Sequence, residues 1–87
     1  MPYRVELTRQ AEKSFGLIMS SQPDIGVRIA HAIDTIAADP GAGVPLKGRL
    51  KGLNKYRVGP YRIIYEIRHS RLLVVIIDIG HRKEIYR

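Results

Sequence analysis

The stretch YRIIYEIRHSRLLVVIIDI, residues 61–79, decides the fold of this 87-residue chain. In Tyr61–Arg68 the side chains alternate between two faces, whereas Leu72–Ile79 is almost continuously apolar. An alternation with a period of two is typical of a strand, and a short apolar run fits a strand at the centre of a sheet. The polar His-Ser-Arg stretch between them indicates a turn. The sequence therefore predicts two strands that are joined by a short turn.

The residues before this stretch predict one further strand next to it, an N-terminal strand and two helices. Asn54–Gly59 is a β-rich run that a Gly-Pro turn separates from Tyr61, and Tyr3–Thr8 alternates like a half-buried strand. Apolar residues recur at helical spacing in Thr8–Ser20 and Pro23–Ala38. We expect a single α+β domain over residues 1–87 with the order β-α-α-β-β-β. In it, a helical hairpin packs on one face of a mainly antiparallel four-stranded sheet.

Composition narrows the class of protein. The chain has no cysteine, so a disulfide framework and a thiolate metal site are excluded. The N-terminus is polar, and no apolar run approaches the roughly 18 residues of a membrane span. The sequence indicates a soluble cytoplasmic protein with no membrane partner. The irregular segment Asp39–Leu53 is long for a compact domain, which predicts that it is either mobile or functional.

The positive charge is concentrated in one half of the chain. Residues 47–87 contain eleven basic and three acidic side chains, a net charge of +8, whereas residues 1–46 have a net charge of −1. A basic half on a small domain is typical of a nucleic-acid-binding protein. A generally basic protein, or a basic surface that an acidic partner covers, would give the same pattern.

Strand alternation predicts a cationic face on the sheet. Lys55 and Arg57 share one face of their strand, and Arg62 takes the corresponding face of the next strand. If the apolar faces meet the helices, these three residues converge on the opposite side. We expect the C-terminal tail to bring further groups to one edge of this surface, and the loop before Asn54 to add positive charge. The tail residues are His81, Arg82 and Tyr86, and the loop residues are Lys47, Arg49 and Lys51.

These residue types suit phosphodiester chemistry on RNA. Guanidinium groups bind phosphate and stabilise charge on a pentavalent phosphorane, histidine exchanges protons near neutral pH, and tyrosine stacks on unpaired bases. Attack by the 2′-hydroxyl of the RNA needs no metal, no other cofactor and no protein nucleophile. No metal site is expected, because the histidines have no carboxylates at ligand spacing. Each residue alone also fits a solvated or packing role. The prediction of RNA chemistry therefore depends on the presence of all these residues together.

The quoted residues resemble a known family. The run YRVGPYRIIYEI followed by VVIIDIGHRKEIYR is similar to the RelE branch of the RelE/ParE toxin superfamily, as is the PLKGRLKG loop. The resemblance implies a fold related to small microbial ribonucleases. It also implies a ribosome-dependent mRNA interferase, an endoribonuclease that cleaves mRNA in the ribosomal A site. The implied partners are the ribosome, mRNA, a cognate RelB-like antitoxin and, through the antitoxin complex, operator DNA.

The resemblance also implies roles for individual residues. Arg62 looks like the strand arginine that holds the scissile phosphate, Arg82 like the arginine that supports the transition state or leaving group, and Tyr86 like the tyrosine that orients the mRNA. Arg57 falls where the family has a basic residue in the preceding strand. Gly59 stands where better-studied members have a second basic residue, and our hypothesis is that Lys55 partly replaces it.

More than one residue could transfer the proton, and more than one activity fits the sequence. Arg57 is a poor general base because a guanidinium group holds its proton very tightly. His81 is therefore the leading candidate for proton transfer, with Glu84 second. A ParE-like toxin that binds DNA gyrase without cleaving RNA is the main alternative, since the two folds overlap. A degenerate toxin that binds only its antitoxin and operator DNA is a further one.

Overall fold

The structure is a computed structural model, and it describes residues 2–81. Two helices and five strands follow one another along the chain. They are β1 (Arg4–Leu7), α1 (Arg9–Ser21), α2 (Pro23–Ala38), β2 (Val44–Pro45), β3 (Asn54–Val58), β4 (Tyr61–Arg68) and β5 (Leu73–His81). Three short 3₁₀ turns connect them, at Pro40–Ala42, Gly48–Leu50 and His69–Arg71. The predicted helices and main strands are confirmed to within two residues at each end.

The strands form one mixed sheet in the order β1-β5-β4-β3-β2. β1 pairs in parallel with β5, and every other pairing is antiparallel. The α+β class and the helical hairpin on one face are therefore confirmed, but the prediction of four strands was wrong by one. The additional strand, Val44–Pro45, pairs with the first two residues of β3. A two-residue strand has no period that a sequence pattern could show.

The helical hairpin begins and ends at residues with identifiable capping roles. The Thr8 hydroxyl accepts a hydrogen bond from the backbone N–H of Ala11 at 3.1 Å, which satisfies one free donor in the first turn of α1. Gln22 joins the helices, and Pro23 occupies the first position of α2, where its missing N–H costs nothing. Gly26 lets the helices approach, because a Cβ atom there would lie 2.9 Å from the Cα of Met19. The hairpin is therefore closely packed at its turn.

The core lies between the hairpin and one face of the sheet. Tyr65 is completely buried near the centre of this layer. The other buried members of this core are Ala11, Ile18, Ile29, Ala32 and Ile36 from the helices, and Val58, Ile63, Val74, Ile76 and Ile79 from the strands. The second face of the sheet, which we call the open face, is turned away from the helices. Within residues 2–81, neither helix has the length and apolar character needed to cross a membrane.

The segment between α2 and β3 is held by the Tyr65 hydroxyl. That hydroxyl donates to the carbonyl of Pro40 at 2.7 Å and accepts from the N–H of Gly43 at 3.0 Å. A Cβ atom at Gly43 would lie 2.5 Å from the carbonyl oxygen of Lys55, so a glycine is required at this close approach. A core side chain thus fixes the first part of the irregular segment against β3.

A β-bulge interrupts the pairing of β4 with β5. Ile64 pairs with Asp78, whereas the next residue, Tyr65, pairs with Ile76, so Ile77 is an extra residue on β5. One extra residue reverses which side chains of a strand face each side of the sheet. Before the bulge the even-numbered residues of β5 face the helices, and after it the odd-numbered residues do.

Candidate active site

The pairing of β3 with β4 brings Lys55, Arg57 and Arg62 together on the open face. Arg57 lies directly opposite Arg62, and Lys55 lies opposite Ile64 one row along the sheet. Directly opposite side chains in an antiparallel pair are about 5 Å apart at their Cβ atoms, and like charges at that position are destabilising. The fold thus holds the guanidinium groups of Arg57 and Arg62 on neighbouring strands, where they repel each other. Such a pair is typical of a site for an anion.

Arg62 is the most deeply placed of these cations. Its side chain is only 8% exposed, and its same-face neighbour Ile64 is 4% exposed. On β5, Arg62 lies opposite Gly80, which has no side chain. This burial places the guanidinium group of Arg62 in a setting of reduced dielectric, where its attraction to an anion is stronger than in water.

Acidic residues bound the cationic part of the open face. Asp78 follows the bulge on β5 and lies diagonally across from Arg62, and its carboxylate accepts a hydrogen bond from the N–H of Ile79 at 2.8 Å. Glu66 lies further along β4 and forms an ion pair with Arg68 at 2.7 Å. The cationic cluster is therefore confined to the end of the sheet next to the Gly59–Pro60 turn.

The predicted loop cations lie at the opposite end of β3. Lys47, Arg49 and Lys51 are exposed in and beside the 3₁₀ turn Gly48–Leu50. The loop closes through a hydrogen bond from the N–H of Leu46 to the carbonyl of Leu53 at 2.9 Å, just before β3 begins. The structure thus separates these three residues from Arg57 and Arg62 by the length of β3.

The position of His81 differs from the sequence expectation. His81 pairs with Tyr61 across β5 and β4, and the two rings meet edge to face with their centroids 5.9 Å apart. A small cavity of about 200 Å³ beside them is lined by Ser14 and Leu17 of α1, which places the imidazole on the helix side of the sheet. The expectation that His81 joins the cationic face was therefore wrong. The bulge at Ile77 is the physical reason, because an uninterrupted alternation would have turned His81 to the open face.

The remaining tail residues of the candidate site cannot be placed in this arrangement. Arg82, Glu84 and Tyr86 lie outside the described residues. Two residues that the sequence interpretation did not select do contribute to the geometry. The side-chain amide of Gln22 donates to the Tyr61 hydroxyl at 2.6 Å and so links the helical hairpin to the ring that packs on His81. Arg28 projects from α2 toward the end of β3. A turn glutamine and a surface arginine show no sequence pattern that would single them out.

Comparisons with known proteins agree with this architecture. A family model for the ParE toxin of type II toxin–antitoxin systems (parDE) matches residues 5–86. The chain is 33% identical over 89 residues to the toxin RelG of Mycobacterium tuberculosis, with 100% of this chain and 99% of RelG covered.

Solved structures show the same fold. A toxin–antitoxin complex from M. tuberculosis, RelBE2, matches with a TM-score of 0.81 and 30% identity, covering 94% of this chain and 100% of that chain. A YoeB/ParE toxin from Agrobacterium tumefaciens has a TM-score of 0.82 at 19% identity, covering 91% and 98% of the two chains, which is evidence for the fold alone. By sequence and by fold, the chain belongs to the RelE/ParE superfamily of toxins from type II toxin–antitoxin systems.

Proposed function

We propose that this toxin is a ribosome-dependent endoribonuclease that cleaves mRNA in the ribosomal A site and so inhibits translation. The observation that carries the proposal is the directly opposed pair Arg57 and Arg62, with Arg62 buried, on the open face of the sheet. Lys55 adds a third cation one row away. A fixed cluster of donors with positive charge is what a phosphodiester needs when its negative charge rises in the transition state.

The proposed reaction is an intramolecular transfer at phosphorus. The 2′-oxygen of the RNA forms a bond to the adjacent phosphorus, and the bond from phosphorus to the 5′-oxygen of the next nucleotide breaks. The products are a 2′,3′-cyclic phosphate and a 5′-hydroxyl, so one proton leaves the 2′-hydroxyl and one is delivered to the 5′-oxygen. In this proposal Arg62 holds the phosphate and Arg57 stabilises it from β3. Arg82 supports the leaving group and Tyr86 stacks on the mRNA.

Proton transfer explains why the ribosome is needed. A guanidinium group is a poor proton acceptor, so we assign to Arg57 and Arg62 the stabilisation of charge and not the removal of the 2′-hydroxyl proton. His81, the candidate for that step, packs on Tyr61 away from the open face. We therefore assign to the ribosome the alignment of the 2′-hydroxyl, an orientation effect worth up to several kcal/mol, with water or a ribosomal group as the proton acceptor. In this proposal Lys55 partly substitutes for the cation that is missing at Gly59.

The proposal includes an antitoxin as the resting partner. One of the matched structures is a RelBE2 toxin–antitoxin complex. The basic half of this chain, with its net charge of +8, suits an acidic segment that would cover the open face and exclude RNA. We propose that a cognate RelB-like antitoxin supplies that segment and that operator DNA is bound through the complex.

Primer extension on a defined mRNA in a purified translation system tests the proposal. The wild-type toxin is expected to produce cuts only when ribosomes are present. Arg62→Ala should lower the cleavage rate by at least about a hundredfold, the scale of losing one transition-state donor. Arg71→Ala removes the same charge from an exposed turn at the other end of the sheet and serves as the control. A wild-type rate in Arg62→Ala would contradict the proposal.

Two further variants separate the roles of Lys55 and His81. Lys55→Ala should slow cleavage, and full activity in this variant would remove Lys55 from the site. His81→Gln should leave the pH profile of cleavage unchanged, because the imidazole lies on the helix side of the sheet. A flattened pH profile in His81→Gln would instead show that the imidazole reaches the RNA during the reaction.

A second function is favoured by one observation, the match of a ParE toxin model to residues 5–86. A ParE-like toxin would bind DNA gyrase and perform no RNA chemistry. A supercoiling assay run beside the primer extension distinguishes the two functions. Inhibited supercoiling with no mRNA cuts would assign the chain to the gyrase-binding class and make the open face a protein-binding surface.

A further inference from the structure

A second cationic surface lies around the edge of the sheet from the open face. It is a groove of about 280 Å³ between α2 and the outer edge of β3, which we call the α2–β3 groove. Arg28, His31 and Thr35 line it from α2, and Tyr56 and Arg57 line it from β3. The three α2 residues recur at helical spacing on one side of the helix, away from its buried stripe.

Arg28 extends along the groove to the hairpin that joins β3 to β4. A Cβ atom at Gly59 would lie 3.7 Å and 3.9 Å from the two terminal nitrogens of Arg28. Gly59 has a φ of 57°, a conformation that favours glycine at the first central position of a tight hairpin. The turn thus passes close to the guanidinium group without a side chain between them.

The charges of the α2–β3 groove are not neutralised by the described part of the chain. None of the residues that line the groove is acidic. Within residues 2–81, Arg68 and Glu66 form an ion pair far from the groove, and the side chains of Arg28 and Arg57 make neither a hydrogen bond nor an ion pair. Arg28 lines the groove and Arg57 borders it from the edge of β3, and two cations with no counterion among residues 2–81 indicate a site for an anion.

The α2–β3 groove is continuous with the open face through Arg57. That residue lies opposite Arg62 in the sheet and also lines the groove. Within residues 2–81, β2 pairs only with Asn54 and Lys55, and no other described strand lies along the edge of β3 from Tyr56 onward to block the path. A nucleic-acid strand whose phosphate lies at Arg62 can therefore pass over Arg57 and enter the groove.

The chemistry of the groove favours RNA over an acidic polypeptide. Beside Arg28 it offers the imidazole of His31, the ring of Tyr56 and the hydroxyl of Thr35, which donates to the carbonyl of His31 at 3.1 Å and can still accept a hydrogen bond. Aromatic faces stack on unpaired bases, and hydroxyl and guanidinium groups bind sugar and phosphate. A carboxylate-rich peptide would use the cations but would leave the rings without a matching surface.

We propose that the α2–β3 groove binds the nucleotide that adjoins the cleaved one, with Arg28 on its phosphate. This inference rests on the proposed ribonuclease function and extends its substrate path around the sheet edge. The groove holds the flanking nucleotide in place, so that Arg62 meets the scissile phosphate in one register. Arg28 is thus a substrate-binding residue that takes no part in the chemistry.

The test measures RNA binding directly and separately from cleavage. The probe is a fluorescent octaribonucleotide that is fully 2′-O-methylated, which prevents 2′-hydroxyl attack. Its affinity is measured by anisotropy between 0.05 and about 0.3 M salt, a range in which phosphate contacts dominate the change. Arg28→Gln should weaken binding about fivefold to tenfold and reduce the slope of log K against log salt by about 0.7. Arg71→Gln removes the same charge from a distant turn. It should change the affinity and the salt slope by less than Arg28→Gln does.

Amide NMR shifts place the bound RNA on the protein. Titration with the same octaribonucleotide should shift the amides of His31, Thr35 and Arg57. If only the amides of Lys55, Arg62 and Asp78 shift, and Arg28→Gln and Arg71→Gln bind the RNA with equal affinity, the groove does not bind RNA. That result would contradict this inference and leave the proposed function intact. A wild-type protein that neither binds the RNA nor cuts ribosomal mRNA would overturn both. Loss of decaglutamate peptide binding in Arg28→Gln, with RNA binding retained, would show that the groove serves an acidic polypeptide instead.

Discussion

Tyr65 shows how one side chain serves both the core and the segment that precedes the site. Its ring is completely buried on the helix side of β4, and its hydroxyl joins the carbonyl of Pro40 to the N–H of Gly43. The sequence pattern predicts the buried ring, since Tyr65 alternates with Ile63 and Ile67. It does not predict the hydroxyl's partners, because they lie more than twenty residues away in an irregular segment.

The Tyr65 hydroxyl makes the stability of the toxin sensitive to alkaline pH. Burial raises the pKa of Tyr65 above its ordinary value of 10.0, while the hydrogen bond from Gly43 opposes this shift. A raised folded-state pKa means that the neutral phenol is favoured in the native protein. Its contribution is therefore complete below pH 10 and is lost as pH rises through the folded-state pKa.

Tyr65→Phe is expected to lower the free energy of unfolding by about 1–3 kcal/mol at pH 7, because it leaves two partly buried backbone groups, the carbonyl of Pro40 and the N–H of Gly43, without their partner. Above pH 10 the difference between the wild type and Tyr65→Phe should shrink, since the phenylalanine variant has no phenol to ionise. Urea denaturation at a series of pH values from 7 to 11 measures both effects. A difference that stays constant up to pH 11 would contradict this account.

At the scale of elements, the sequence predicts the strands and helices well, but it does not predict which side chains of β5 face the helices after the bulge. Apolar periodicity extends over eight or more residues in α1, α2 and β4, so those elements are strongly specified. The run LLVVIIDI is apolar at nearly every position and carries no alternation, so it cannot reveal that Ile77 is an extra residue. That one residue decides that Asp78 joins the open face and that His81 leaves it.

Thr8 connects this bulge to the start of α1. Its hydroxyl donates to the carbonyl of Ile77 at 2.7 Å and accepts from the N–H of Ala11, while its own N–H donates to the carbonyl of Ile76 at 3.0 Å. One hydroxyl therefore forms hydrogen bonds both with a free N–H in the first turn of α1 and with a backbone carbonyl at the bulge of β5. The placement of Asp78 and His81 depends on this junction.

Thr8→Val keeps the shape of the side chain but removes the hydroxyl. We expect a loss of about 1–3 kcal/mol in the free energy of unfolding, from the helix cap and the unpaired Ile77 carbonyl together. Thr8→Ser retains the hydroxyl and should stay within about 0.5 kcal/mol of the wild type. Hydrogen exchange at Asp78 and Ile79 should be faster in Thr8→Val than in Thr8→Ser. Equal stabilities for the two variants would show that the hydroxyl does not hold the bulge.

At the scale of the whole molecule, the same charges that suit an RNA-binding role oppose the compact state. The chain has a net charge of +7 and a longest dimension of 36 Å. The Debye length is about 30 Å at 0.01 M salt and about 10 Å at 0.1 M, so at low salt most of the positive charges repel one another across the molecule. The directly opposed pair Arg57 and Arg62 contributes to this repulsion.

Salt should therefore act in opposite directions on the stability and on the binding of this toxin. We expect Tm, measured by circular dichroism in sodium chloride, to rise between 0.01 and about 0.2 M and then to level off, because screening is nearly complete once the Debye length falls below about 8 Å. Over the same range the affinity for RNA should fall, since each phosphate contact releases a counterion. Chloride is used because sulfate would bind the cationic sites and stabilise the protein by occupying them. Arg57→Gln should reduce the rise in Tm, whereas a Tm that falls with added chloride would mean that attractive ion pairs outweigh the repulsion in the folded toxin.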